Sequence, residues 1–156
     1  MGGSERSTAS GAVTAGSILV RRAEARDIPA ILRIERSSFA DPWSADAFIN
    51  TLFRDRMRFL AAVDQSGVIE GGAGGPSVVG YVIALLLTDE AEIADLAVAL
   101  AARGRGVGGL LLDEVTAEVA GEGARALFLE VRESNQAARA LYESRSFKQV
   151  GRRKGY

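Results

Sequence analysis

Four glycines fall within Gly104-Arg-Gly-Val-Gly-Gly109, between an apolar Leu96-Ala-Val98 and an apolar run that starts at Leu110. This order predicts a strand, a glycine turn and a helix. A helix that begins in glycines leaves its first amide N–H groups uncovered. With the positive end of the helix dipole, these amides make a site for phosphate. The chain has no cysteine and no histidine. Disulfides, thiolate nucleophiles, Ser-His triads and the usual zinc sites are thereby excluded, and no metal is expected. Acid–base chemistry is left to Asp, Glu, Tyr, Lys or the backbone.

Two common phosphate motifs can be weighed on the letters. A nucleotide P-loop needs a Lys after its last glycine, and none follows here. Gly104, Gly106 and Gly109 do match the G-x-G-x-x-G of dinucleotide folds, and Glu130 stands about twenty residues on, where a ribose-binding acid belongs. Such a fold needs further βαβ units. Residues 131–156 have room for one helix and one strand.

The elements that must hold this turn can be read in chain order. A length of 156 residues is one domain. With 47% hydrophobic and 25% charged residues the composition is that of an ordinary globular protein. A net charge of -1 gives no overall pull towards nucleic acid or an anionic membrane. No apolar run approaches the ~20 residues of a membrane span. Residues 1–17, rich in Gly, Ser, Ala and Thr, lack the pattern of a signal peptide and are expected to be a disordered tail, with the protein cytoplasmic.

A strand is expected at 18–22. A helix follows, with Asp27 and Pro29 at its start and an apolar stripe of Ile28, Ile31, Leu32 and Ile34. Pro42-Trp43 lies in the next loop, which a partly buried Trp would anchor. Ser44 opens a second helix carrying Phe48, Ile49, Leu52 and Phe53. Strands are expected at 57–63, 78–87 and 92–98, with a glycine-rich loop at 65–77. The helix after the glycine turn buries Leu111, Val115 and Val119 and stops at Gly121 and Gly123. A strand over 124–131 ends near Glu130. Ser134 or Asn135 caps a last helix that carries Ala138, Leu141 and Tyr142, and a final strand is expected at 147–153. Together these give a mixed α/β sheet with helices on both faces.

Arg103-Gly-Arg-Gly-Val-Gly108 fits the Gln/Arg-x-x-Gly-x-Gly pyrophosphate signature of the GNAT acetyltransferases. Leu129-Glu-Val-Arg-Glu-Ser-Asn135, Ala137-Ala-Arg-Ala-Leu-Tyr-Glu143 and Phe147 resemble the narrower RimI branch, the N-terminal-alanine acetyltransferases of ribosomal proteins. Phe39-Ala-Asp-Pro-Trp-Ser44 and Arg152-Arg-Lys-Gly-Tyr156 resemble two further segments of that branch. The resemblance spans residues 20–156. It implies the GNAT fold over residues 18–156, with acetyl-CoA as cosubstrate and a protein N-terminus, of a ribosomal protein, as acceptor.

The resemblance also implies roles. Leu96, Ala97 and Val98 would pair with the pantetheine arm through backbone groups. Arg103, Gly104, Arg105, Gly106, Val107, Gly108 and Gly109 would wrap the pyrophosphate. Asn135 would touch the cofactor near its sulfur, Glu130 would be the base and Tyr142 the acid. Trp43 and Tyr156 are candidates for the acceptor groove. Elementary chemistry agrees with this division. An α-amino group has a pKa near 8, so roughly a tenth is neutral at pH 7, whereas a lysine needs about 3–4 kcal/mol more to deprotonate. A carboxylate acting through water is then a sufficient base. Asn135 and Tyr142 are seven residues apart and share a helix face.

The chain departs from the family in three places. Ala99-Leu100 replaces an Asp/Glu-Pro, and Arg145-Ser-Phe147 replaces a Leu-Gly-Phe, which predicts strain at that helix end. The seventh strand of the family is missing, so the C-terminal side of the sheet is expected to be short or completed by another chain. Two alternatives stand beside N-terminal acetylation: transfer to a lysine or small amine, and a CoA-binding module with impaired catalysis.

Overall fold

A computed structural model describes residues 7–9, 12–66 and 75–151. One sheet of seven strands organises them, in spatial order β1 to β7. The strands are β1 (Ser7–Ala9), β2 (Ala12–Ala15), β3 (Ile18–Arg22), β4 (Met57–Asp64), β5 (Ser77–Leu86), β6 (Glu90–Val98) and β7 (Ala126–Phe128). Four helices complete it: α1 (Ile28–Ser38), α2 (Ala45–Leu52), α3 (Val107–Gly121) and α4 (Gln136–Ser144). All neighbouring strands run antiparallel except β6 and β7, which are parallel.

β5 is the centre. Val79, Tyr81, Val82, Ile83 and Ala84 are fully buried, because helices cover both of its faces. Tyr81 meets Glu35 of α1 on one side. The neighbouring Gly80 faces α3 on the other, where a Cβ would stand 3.0 Å from Leu111 and 3.2 Å from Val107. The apolar stripe expected of α3 is buried (Leu111, Val115 and Val119), as are Ile28, Ile31 and Ile34 of α1, with Leu32 half-buried; of the α2 stripe only Phe48 is buried, while Leu52 is half-buried and Ile49 and Phe53 are exposed.

α1 is entered through a fixed corner. The Arg21 guanidinium grips both oxygens of Asp27 at 2.7 and 2.9 Å, and the Glu24 N–H donates to the same carboxylate. Burial raises the Asp27 pKa, but these donors outweigh it and hold the carboxyl below its ordinary value. Ser44 caps α2 by accepting from the Ala47 N–H.

Two expectations fail and one holds in part. Residues 1–17 were expected to be a disordered tail, yet β1 and β2 pair within that stretch, and β2 pairs with β3. Gly16, at φ 59, makes the reversal into β3, and the β-branched Val13 and Thr14 suit a ladder. The final strand expected over 147–153 does not form over its described part, 147–151. Val150 is 83% exposed, so burial offers nothing to offset the entropy of ordering an unpaired strand. The strand expected over 124–131 shortens to β7, with Leu129 and Glu130 beyond it.

Candidate active site

β6 carries two irregularities, and both shape the site. The first is a bulge. Ile93 pairs with Ala84 and Asp95 pairs with Ile83, so Ala94 is an extra residue on β6. A bulge of this kind re-aims the side chains after it. Asp95 and Ala97 therefore face the same way as Ile83 and Tyr81, towards α1. The second is a fork. β7 pairs only with the first three residues of β6, from Glu90↔Ala126 to Glu92↔Phe128. Past Glu92, β6 continues for six residues with no strand on that side among the described residues. Leu96, Ala97 and Val98 lie on this open edge.

The glycine turn follows at once. A single helical turn (Leu100–Ala102) leads to Gly104 and Gly106, at φ 78 and 81, a backbone region that only glycine adopts cheaply. Gly106 is the N-cap of α3, and no side chain caps the helix there. The first N–H groups of α3 are thus presented without a side-chain partner, beside the open edge of β6. Arg103 fastens the turn: its Nε donates to the Val98 carbonyl at 3.1 Å and its guanidinium reaches Ser38 Oγ at 3.5 Å. Arg105 is exposed. Gly108 lets α4 approach, since a Cβ there would stand 3.1 Å from Leu141. Gly109 leaves room for the Arg145 guanidinium, which pairs with Asp113 at 3.3 Å. Val107 is buried in the core.

α4 closes the third side. Asn135 is its N-cap, accepting from the Ala138 N–H at 3.1 Å, so its amide nitrogen is the end it can offer a ligand. Tyr142 is partly buried against the core. Burial, and then the Asp95 carboxyl, push its pKa above the ordinary phenol value. A neutral phenol at working pH is the form that can donate a proton. Glu130 lies exposed beyond β7.

The end of α4 is a Schellman turn with an unusual residue. Phe147 N–H donates to the Tyr142 carbonyl and Ser146 N–H to the Glu143 carbonyl, both at 3.0 Å. The rings of Tyr142 and Phe147 meet at 5.9 Å, the apolar contact this motif favours. Ser146 sits at φ 67, a backbone region that favours glycine. Ser146→Gly is expected to stabilise the chain by about 0.5–1 kcal/mol, since a Cβ in this region is strained. A urea or thermal melt checks this, and an unchanged midpoint would mean that the position is not left-handed in solution.

Trp43 lies in the loop between α1 and α2. Its backbone N–H donates to Glu35 Oε2 at 2.8 Å and its ring packs on Phe48 at 5.3 Å. This is the anchored loop the sequence suggested. Tyr156 falls outside the described residues. The structure thus sets α4, which Asn135 caps and which carries Tyr142, against the start of α3 and the end of β6, where a Cβ at Gly108 would meet Leu141 and Val98. Sequence reasoning passed over Glu35, Tyr81 and Asp95, which are buried in the core. A signal existed: Glu35 stands four residues after Ile31 and seven after Ile28, on the stripe that faces the core.

No helix among the described residues is long and apolar enough to cross a membrane. No group of three or more Asp or Glu side chains among them could hold a metal ion.

The model of the Acetyltransferase (GNAT) family matches residues 28–147. The [ribosomal protein bS18]-alanine N-acetyltransferase of Escherichia coli strain K12 is 32% identical over 133 residues, 85% of this chain and 82% of that protein. Its Haemophilus influenzae counterpart is 31% identical over 138 residues, 88% of this chain and 86% of that protein. The crystal structure of the Escherichia coli ribosomal-protein-S18-alanine N-acetyltransferase superposes with a TM-score of 0.74 at 30% identity, covering 89% of this chain and 83% of that one.

Proposed function

Since the chain belongs to the GNAT acetyltransferases, in their RimI branch, and is an acetyl-CoA-dependent N-acetyltransferase, we propose that it acetylates the N-terminal alanine of a small-subunit ribosomal protein. Its setting is the cytoplasm. The names of the relatives support the acceptor. The observation that carries the site is the fork: an open edge at Leu96 to Val98 lies beside an α3 N-terminus that no side chain caps. A ligand with amides in one arm and a pyrophosphate at its end suits both features. Arg103 to Gly109 hold the pyrophosphate, and Asn135 steadies the sulfur end.

The thioester supplies an activated acetyl carbonyl, and the chain's residues manage the protons. Glu130, acting through water, removes the proton that keeps the acceptor amine unreactive. Tyr142 gives its proton to the sulfur as the C–S bond breaks and the N–C bond forms. Transfer is direct, because the chain has no cysteine to carry an acyl group. Trp43 and Tyr156 are the acceptor-groove candidates.

The test mixes protein, acetyl-CoA and an alanine-initiated peptide of the ribosomal protein, and follows free thiol and peptide mass. Thiol release with a gain of one acetyl on the α-amine is expected. Acetylation of an internal lysine in an N-terminally blocked peptide would instead favour the lysine enzyme. Cofactor binding without thiol release from any amine would favour the CoA-binding module. Glu130→Gln is expected to lower kcat by about 10²–10³ while acetyl-CoA still binds. Full activity in that variant would remove Glu130 as the base.

A further inference from the structure

One buried carboxyl group that the mechanism above does not use joins the centre of the sheet to the loop that carries Trp43. Glu35 is 1% exposed and stands on the core face of α1. The Tyr81 hydroxyl donates to its Oε1 at 2.5 Å, and the Trp43 N–H donates to its Oε2 at 2.8 Å. Tyr81 belongs to β5 and pairs with Ala97 of β6, the middle residue of the open edge at Leu96 to Val98. Glu35 therefore reaches the strand beside that edge with one oxygen and the loop between α1 and α2 with the other.

This loop leaves α1 beside the glycine turn, since Ser38, the last residue of α1, meets the Arg103 guanidinium at 3.5 Å. Phe39, Ala40, Asp41 and Pro42 are exposed, so burial does little to fix them. Trp43 is where the loop returns to the core. Its ring lies on Phe48 at 5.3 Å, and Phe48 meets the Tyr81 ring edge-on at 5.7 Å. The polar and the aromatic contacts of Trp43 thus both lead to Tyr81. A loop fixed before a ligand arrives need not be ordered by binding, and apparent affinity rises with the fraction of molecules whose loop is already in place.

Resting on the reading of Trp43 as an acceptor contact, we propose that Glu35 is a positioning residue for the acceptor peptide: by tethering the Trp43 backbone to Tyr81 it holds residues 39–43 in place relative to the strand edge where the cosubstrate lies. Glu35 acts through Trp43 and touches neither substrate. The tether governs how well a peptide binds and leaves the binding of acetyl-CoA alone.

Two measurements on the full chain test this. Glu35→Met combined with Tyr81→Phe removes the tether and leaves no Tyr81 hydroxyl without an acceptor. In steady-state kinetics this double variant is expected to raise the KM for an alanine-initiated peptide about 10-fold, with the KM for acetyl-CoA unchanged. Glu35→Gln is expected to keep the peptide KM of the wild type. Its oxygen turns to the Trp43 N–H and its NH2 donates to the Tyr81 oxygen, which as a hydroxyl can also accept. A merely weakened fold would lower kcat and leave both KM values where they are. Trp43 is the chain's one tryptophan, so its emission reports the loop without any turnover. Acrylamide is expected to quench it more in the double variant, and no more in Glu35→Gln than in the wild type. A folded double variant with the peptide KM of the wild type overturns the proposal, and so does a rise in KM that acetyl-CoA shares. If the double variant fails to fold, Glu35→Asp, whose carboxyl group is one methylene short of the two donors, is put through the same comparison. Absence of turnover by the wild type on any peptide is a failure of the acceptor assignment, and the quenching comparison still decides whether Glu35 holds the loop.

Discussion

Tyr142→Phe is expected to lower kcat by about 10²–10³, with little change in the KM for acetyl-CoA. The exchange removes one oxygen and keeps the ring. The ring packs against Phe147 and the core. The main-chain bonds from Phe147 and Arg145 to the Tyr142 carbonyl do not involve the side chain, so the turn that ends α4 survives. What is lost is the proton donor for the sulfur. An ordinary thiol has a pKa near 8.5, so in water a phenol would be a weak donor to its anion. A thiolate formed in a desolvated pocket is a much stronger base, because burial disfavours the charged form. Single-turnover thiol release at several pH values checks the expectation. Release as fast in the variant as in the wild type would show that solvent protonates the sulfur and that Tyr142 only packs.

The second large effect is on stability. Glu35→Ala is expected to cost about 3–5 kcal/mol. It deprives the buried Tyr81 hydroxyl and the Trp43 N–H of their acceptors and leaves a void under α1. Glu35→Gln keeps an oxygen for one of these donors and an amide to face Asp95, and should cost about 1 kcal/mol or less. Urea melts of the two variants separate the polar contribution from packing, and equal losses would show that the hydrogen bonds contribute nothing.

The same cluster sets a pH dependence. Burial and the nearby Glu35 carboxyl raise the folded pKa of Asp95 to about 9, well above that of an ordinary carboxyl, so its contribution to stability is full below about pH 4 and is lost as pH rises towards about 9. Asp27 has the opposite sign, its pKa being lowered in the fold. Its contribution holds above about pH 4 and fades as acid protonates it.

How much of this the letters disclose depends on whether the cause is local. The apolar stripes of α1 and α3 are local patterns, and they bury nearly all the residues that their spacing predicts, whereas on the short α2 only Phe48 reaches the core and Ile49 and Phe53 stay exposed. The glycine turn is legible because Gly104 and Gly106 answer a backbone demand that no other residue meets cheaply. The Asn135 cap is legible for a similar reason. The final strand was misjudged because residues 147–151 read as a strand but find no ladder to join, and ladder partners are not written in a local window. The hairpin of β1 and β2 was missed for the converse reason: its short Ala, Val and Thr letters look like a tail until β3 gives them an edge. Asp95 was hidden by the bulge. A period of two carried straight from Ile93 keeps Asp95 on the face of Ile93, and the extra Ala94 sends it to the other. Glu35 needed the opposite lesson, that a charged letter on a core stripe can be a core residue.

The fork between β6 and β7 has a consequence for the protein in storage and in the cell. Elsewhere, an unprotected strand edge invites other chains to add to it, and proteins guard such edges with charges, prolines or covering loops. Here Leu96-Ala-Val98 is apolar and has no strand on its outer side among the described residues. If acetyl-CoA lies along this edge as proposed, it covers the surface through which empty molecules could join, and adding it to the purified protein is expected to slow aggregation, which light scattering checks.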